Sequence, residues 1–224
     1  MNSRFRNRRE AGQQLSAKLQ QYAGQPDVIV LALPRGGVPV GFEVATALDV
    51  PLDVFVVRKL GLPWHEELAI GALASGGVRF LDQDLIRVAG VSDDDIRRVT
   101  AVEQIELERR ERLYRGDRPF PDLAGKTVIL VDDGLATGST MRAAVAALRQ
   151  EDPARVIVAV PVASPDTCEA FRDIADDIVC AATPEPFHAV GLWYEDFSQT
   201  TDEEVHYLLD QARAAHEHQL TGQA

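Results

Sequence analysis

Residues Val28-Ile29-Val30-Leu31-Ala32-Leu33 form an apolar run without a polar break, closed by Pro34. A strand with one wet face alternates apolar and polar side chains. An unbroken run fits a strand covered on both faces, as in a parallel sheet with helices above and below. Further candidates of this kind lie at 53–57, 127–131, 156–160 and 178–181. Helical patterns fall between most of them: 38–48, with Pro39 in the first turn where a missing N–H costs nothing, then 139–150 and 165–175. This alternation predicts an α/β fold with a doubly wound, mostly parallel sheet, and 224 residues are enough to bury one core.

Two segments interrupt the rhythm. Residues 60–82 carry glycines at 61, 71, 76 and 77 and read as a long loop with a short hairpin, the kind of segment that serves as a lid or binding loop. Residues 92–113 open with Ser92 and three aspartates and close with Arg109, Arg110 and Arg112, so both ends complement a helix dipole. Ile96, Val99, Val102 and Ile105 give this helix an apolar stripe, and Glu106–Arg110 and Glu108–Arg112 add i,i+4 pairs. A packed helix with one solvated face is the preferred reading over a sheet-edge cover or an oligomer contact. Asn7 caps a first helix over 8–22 carrying Leu15 and Leu19, and a polar helix with His206, His216 and His218 ends the chain.

Composition excludes several classes of function. With 23 basic and 35 acidic side chains the formal charge is −12, which repels phosphate backbones at long range and argues against a nucleic-acid partner. No apolar stretch is long enough to cross a bilayer, and Met1 to Glu10 has four arginines and no apolar core, unlike a signal peptide. Cys168 and Cys180 make neither a disulfide framework nor a metal spacing and read as small core residues. The expectation is an unstapled cytoplasmic protein without a membrane partner.

The chemistry concentrates in Val128-Ile129-Leu130-Val131-Asp132-Asp133-Gly134-Leu135-Ala136-Thr137-Gly138-Ser139-Thr140. An apolar strand ends in two carboxylates, then a loop of small and hydroxyl residues opens a helix. Ligands of open α/β sheets bind beyond the carboxyl ends of the strands. Consecutive backbone N–H groups, hydroxyls and a helix N-terminus make residues 136–140 a phosphate site. The carboxylates of Asp132 and Asp133 repel phosphate, and instead suit sugar hydroxyls or a magnesium ion. A sugar phosphate with a free diol satisfies both halves. Pro34-Arg35-Gly36-Gly37 follows another buried strand, with glycines that permit close backbone approach and a forked cation for phosphate oxygens.

The thirteen-residue run resembles the 5-phosphoribosyl-1-diphosphate (PRPP) signature of the type I phosphoribosyltransferases, departing only at Gly134, where that family usually carries an apolar residue. The resemblance implies that Asp132 and Asp133 bind the ribose hydroxyls and a metal ion, Mg2+. It implies that Ala136, Thr137, Gly138, Ser139 and Thr140 cradle the 5-phosphate, with Gly134 and Leu135 also among the PRPP-binding residues. Pro34, Arg35, Gly36 and Gly37 are similar to the family's pyrophosphate loop, which often contains a non-proline cis peptide. Arg58-Lys59 resembles the Arg-Lys that closes a strand in orotate and adenine phosphoribosyltransferases before a mobile loop. The implied catalytic residues are Arg35, Arg58, Lys59, Asp132 and Asp133, with Arg58 and Lys59 neutralising the leaving group. Within Trp64-His65-Glu66-Glu67, His65 and Glu66 are candidates for a proton donor or a metal contact, no better than an exposed polar loop.

Residues 183–197 are similar to the segment of 6-oxopurine phosphoribosyltransferases in which an aromatic ring stacks on the base. Phe187 and Trp193 are the acceptor-binding candidates, set against ordinary aromatic packing. No lysine lies near 178–183, where purine enzymes place one, which argues against a purine acceptor. The resemblance spans residues 28–197 and implies one domain over 1–224, with a lid at 60–82, an inserted helix at 92–113 and a hood at 183–200. It implies transfer of the 5-phosphoribosyl group from PRPP to an acceptor nitrogen with release of pyrophosphate, in a homodimer acting on an unidentified small-molecule acceptor. The alternative is a PRPP-binding sensor or regulator without turnover, since a fold does not fix a function. The combination of Pro-Arg-Gly-Gly, His-Glu-Glu and Thr-Pro-Glu-Pro-Phe also resembles phosphoribosyltransferases of unassigned acceptor. The arginines at 4, 6, 8 and 9 read as a solvated basic arm.

Overall fold

A computed structural model of the chain describes residues 4–62 and 65–222, with side chains described for all of these except 65–69 and 218–222. Five parallel strands form the main sheet: β1 (Val28–Ala32), β2 (Leu52–Val54), β6 (Thr127–Val131), β7 (Arg155–Val162) and β8 (Asp177–Ala182), in the order β2-β1-β6-β7-β8. The expected parallel α/β sheet is therefore present, and its three central strands are covered on both faces. Val28, Val30, Ile129, Val131, Ile157 and Ala159 pack against α1 (Arg8–Ser16) and α2 (Gly37–Leu48) through Leu15, Val40, Val44 and Leu48. Their neighbours Ile29, Leu31, Val128, Leu130, Val156 and Val158 point the other way, against Met141, Val145 and Leu148 of α5 (Ser139–Leu148) and Phe171 of α6 (Pro165–Phe171). Period-two alternation thus serves two cores at once, which explains the absence of polar positions in the runs. Each fully buried branched side chain contributes roughly 1.5–3 kcal/mol.

The region expected as a long loop is instead folded. Strands β3 (Val57–Leu62), β4 (His65–Ala74) and β5 (Val78–Leu81) make an antiparallel sheet in the order β3-β4-β5. The glycines that suggested a loop have local jobs. A Cβ on Gly71 would sit 2.2 Å from the Phe80 carbonyl oxygen, so the close crossing of β4 and β5 needs glycine there. Gly76 and Gly77 have φ of 84° and 80° and turn the chain between those strands. The His65 and Glu66 side chains and all of Trp64 lie outside the described residues.

Helix α4 (Asp93–Arg115) follows a short α3 (Gln83–Ala89), and α7 (Asp202–Gly222) closes the chain. Ser92 caps α4 by accepting from the Asp95 N–H. Ile96, Leu107 and Tyr114 of α4 pack with Leu60, Leu62 and Ile70 of the antiparallel sheet and with Val205 and Leu209 of α7. Among the described residues, no helix is long and apolar enough to cross a membrane. One expectation is overturned in the outer layer: Cys168 of α6 and Cys180 of β8, read as separate packing residues, are joined as a disulfide. The two cysteines stand twelve positions apart, one on the helix and the other on the edge strand that follows it.

Candidate functional site

Strand β6 is buried throughout and releases the chain at Asp132 and Asp133, where the Asp133 N–H donates to Asp132 Oδ1 at 2.9 Å. The chain then steps over the end of β7, with the Leu135 N–H donating to the Val162 carbonyl at 2.9 Å, and turns into α5 at Gly138, whose φ is 71°. Two side chains of the outer layer hold this turn. Thr167 Oγ1 donates to the Ala136 carbonyl at 2.9 Å, and the Phe171 ring occupies the place where a Gly138 Cβ would lie. No side chain caps the first turn of α5, and the loop residues Ala136 and Thr137 just before it are exposed, so the orphan N–H groups of that turn have no side-chain partner at the cap. Ala136, Thr137, Ser139 and Thr140 line a cavity of about 170 Å³ with Asp132, Gly134, Leu135, Gly138, Met141 and Val190. Open N–H groups, hydroxyls and a helix dipole on one wall suit an anion, and the acid at its margin does not.

The departure at Gly134 has a structural cause. A Cβ there would meet Val190 at 2.6 Å and Val162 at 3.0 Å, so the segment after β8 fills the space that an apolar side chain would take.

The second loop meets the first directly. The Leu33 N–H donates to the Val131 carbonyl, the Pro34–Arg35 peptide is cis, and α2 begins at Gly37. A Cβ on Gly36 would fall 2.1 Å from Asp133 Oδ2, and one on Gly37 would fall 2.8 Å from the Val131 oxygen. Both glycines are required by this contact. Arg35 lies 3.8 Å from Asp202 at the start of α7, and Gln199, in the amide orientation that satisfies it, accepts from its guanidinium. Asp202 also accepts from the Tyr114 hydroxyl at 2.7 Å, and burial with that acidic partner pushes the phenol up to about 12.

Burial dominates the acids. It pushes the Asp132 carboxyl well above the usual range, and the neighbouring Asp133 charge pushes the same way. Asp133 is also raised by burial, against the opposing pull of Arg8. Arg8, read from the sequence as part of a solvated arm, instead donates from Nε to Asp133 Oδ2 at 2.9 Å, and its Nη2 lies 2.8 Å from the same oxygen in an ion pair. Tyr194 lies in the 183–197 segment but was not among the candidates read there: its buried hydroxyl donates to the Asp133 carbonyl at 2.6 Å, and burial raises the phenol pKa. The contacts of Arg8 and Tyr194 with Asp133 cross 125 and 61 positions of sequence, a separation that no local pattern signals.

The remaining sequence candidates separate. Arg58 donates to Glu103 of α4 at 2.6 Å. Lys59 lies on the opposite face of β3 from Arg58, since successive strand residues alternate. Phe187 and Trp193 pack with Phe5, Ala11, Val162 and Tyr194 beside the site, while Val190 from the same segment reaches the cavity.

Comparison with known proteins places the chain in a family. Residues 5–188 match the family model described as a phosphoribosyl transferase domain. A protein of Mycobacterium tuberculosis strain H37Rv named "Putative phosphoribosyl transferase" is 46% identical over 208 residues, 93% of this chain and 47% of that protein. The chain thus spans about half the length of that curated relative. A Roseiflexus protein named "Bifunctional protein PyrR" is 32% identical over 142 residues, 63% of this chain and 58% of that protein. The crystal structure of the TT1426 protein from Thermus thermophilus superposes with a TM-score of 0.83 at 43% identity, covering 93% of this chain and 98% of that one. The chain belongs to the type I phosphoribosyltransferase family.

Proposed function

We propose that the protein transfers the 5-phosphoribosyl group from PRPP to a nitrogen of a small acceptor, with release of pyrophosphate. The observation that carries this reading is the cavity at the end of β6, where an uncapped helix N-terminus and Asp132 line one small volume, with Asp133 next to it in the chain. The 5-phosphate takes the N–H groups and hydroxyls of residues 136–140, and Asp132 and Asp133 accept from the ribose hydroxyls. Arg35, on the loop against Asp133, faces the pyrophosphate. This chain's residues act by holding the sugar between fixed donors and acceptors and by countering charge on the leaving group, with no covalent intermediate.

The donor set fits Mg2+ when the ion arrives with its substrate. After their contacts with the Asp133 N–H and Arg8, Asp132 and Asp133 each keep one carboxylate oxygen, and no cluster of three or more His, Cys, Asp or Glu forms among the described residues. Mg2+ characteristically takes one or two carboxylates, water and substrate phosphates. Asp132 and Asp133 would hold it, and it would supply neutralisation of pyrophosphate charge.

The test is pyrophosphate release from PRPP across a panel of nucleobases, with a no-acceptor control. Release that requires one acceptor supports the transferase. PRPP breakdown without acceptor identifies a hydrolase, and binding without breakdown identifies a sensor; either overturns the proposal.

A further inference from the structure

Arg8 stands outside every motif of the sequence, yet all three nitrogens of its guanidinium are engaged at the site. Nε and Nη2 reach Asp133 Oδ2, and Nη1 donates to the Ser198 carbonyl at 2.7 Å. The Phe197 ring stacks 4.0 Å from the guanidinium carbon, and the side chain is 12% exposed. The backbone just before it is laced to the segment after β8 by three hydrogen bonds: Phe5 N–H to the Trp193 carbonyl at 2.9 Å, Glu195 N–H to the Phe5 carbonyl at 2.8 Å and Asp196 N–H to the Arg6 carbonyl at 2.9 Å. Asn7 then caps α1 by accepting from the Glu10 N–H. A side chain fixed from this many directions is not a swinging arm.

We propose that Arg8 is a built-in cation of the carboxylate pair, occupying on Asp133 the place a directly bound divalent ion would take. Two adjacent buried carboxylates without a counter-charge attract a divalent ion on their own. A resident guanidinium sets one fixed positive charge against the pair and covers one oxygen of Asp133. The other oxygen is left for the ligand, for a sugar hydroxyl or for the divalent ion that the ligand's phosphates bring with them, so that the ion is held only once the ligand is there. Arg8 is in this sense a positioning residue that acts through Asp133, and it makes the site selective for a diol-bearing sugar phosphate over free metal. The inference rests on the phosphoribosyl reading for the identity of the ligand, and on the ion-pair geometry alone for the exclusion of metal.

The experiment is a titration of the 224-residue chain with Mn2+ alone, without PRPP, followed by the electron paramagnetic resonance of the free ion. Arg8→Gln binds Mn2+ at least about tenfold more tightly than the wild type, Arg8→Lys stays within about threefold of it, and Arg8→Gln combined with Asp133→Asn loses the gain. Equal affinity of Arg8→Gln and wild type overturns the proposal, as does a gain that survives Asp133→Asn. If Arg8→Gln loses its native circular dichroism, Phe197→Leu removes the stacking platform while keeping the arginine. It binds Mn2+ more tightly than the wild type, and an unchanged affinity overturns the proposal. A parallel PRPP titration of the wild type separates the two readings: no PRPP binding with a retained Arg8→Gln gain removes the phosphoribosyl assignment and supports the resident cation.

Discussion

The carboxyl edge of the parallel sheet and the antiparallel sheet beside it handle charge in opposite ways. At the edge, Asp132 and Asp133 are enclosed and burial raises both carboxyls, although Arg8 lies against one of them. On α4, which covers the antiparallel sheet, the more exposed Glu106 accepts from Arg109 and Arg110, and its carboxyl is pulled down to about 2. The exposed cluster has favourable partners but contributes little to stability, because water screens it. The enclosed pair opposes stability, and a fold retains such a pair where a ligand needs it.

The sharpest way to break this contrast is Gly36→Ala. Its Cβ would fall 2.1 Å from Asp133 Oδ2, so either the loop or the carboxylate must shift. Overpacking of this kind costs about 1–3 kcal/mol. The melting temperature falls and PRPP affinity drops by roughly tenfold or more; unchanged values for both would mean that the loop contact is not part of the site.

Asp132→Asn acts in the opposite direction on stability. The Asp132 carboxyl is raised on folding, so folding takes up a proton between the ordinary carboxylate pKa and the raised value. Stability therefore falls as pH rises through that window. The variant melts at a higher temperature than the wild type at neutral pH, with a flatter pH slope, while PRPP binding is weakened. A lower melting temperature at neutral pH contradicts the assignment of a destabilising buried charge.

Strand alternation gives a third test. Lys59 lies on the opposite face of β3 from Arg58, which is paired to Glu103. Lys59→Ala lowers turnover more than it lowers PRPP affinity, and by more than Arg58→Ala does. An unchanged turnover number for Lys59→Ala removes its leaving-group role.

The smallest effect belongs to the exposed cluster. Glu106→Gln changes stability by well under about 1 kcal/mol at neutral pH. Because the Glu106 carboxyl is lowered on folding, its contribution is present above the ordinary carboxylate pKa and is lost as pH falls toward 2. Melting curves of the two proteins that converge in acid bear this out, and a large loss at neutral pH contradicts it.

What could be read from the chain follows the same division. The strands at 28–32 and 127–131 were legible because each serves two cores, which removes every polar position from the interior of the run. The acid pair and the hydroxyl-rich turn were legible because their chemistry is local to one strand end and one helix start. The antiparallel sheet was not: Gly71, Gly76 and Gly77 mark a close crossing and a tight turn, and in sequence these look the same as a loop. Arg8 was hidden by distance along the chain, and so was the cause of the Gly134 departure, which lies in Val190, far along the chain after β8. The Cys168–Cys180 bond depends on how α6 settles against an edge strand, which spacing alone does not report.

A calorimetric titration of PRPP, with and without Mg2+, into the wild type and into Asp132→Asn/Asp133→Asn tests the central claim most directly. The account predicts magnesium-dependent binding to the wild type and at least about tenfold weaker binding, about 1.4 kcal/mol, to a double variant that keeps its native circular dichroism. Equal affinity in the two proteins, or no binding to the wild type with no competition from ribose 5-phosphate, would contradict it.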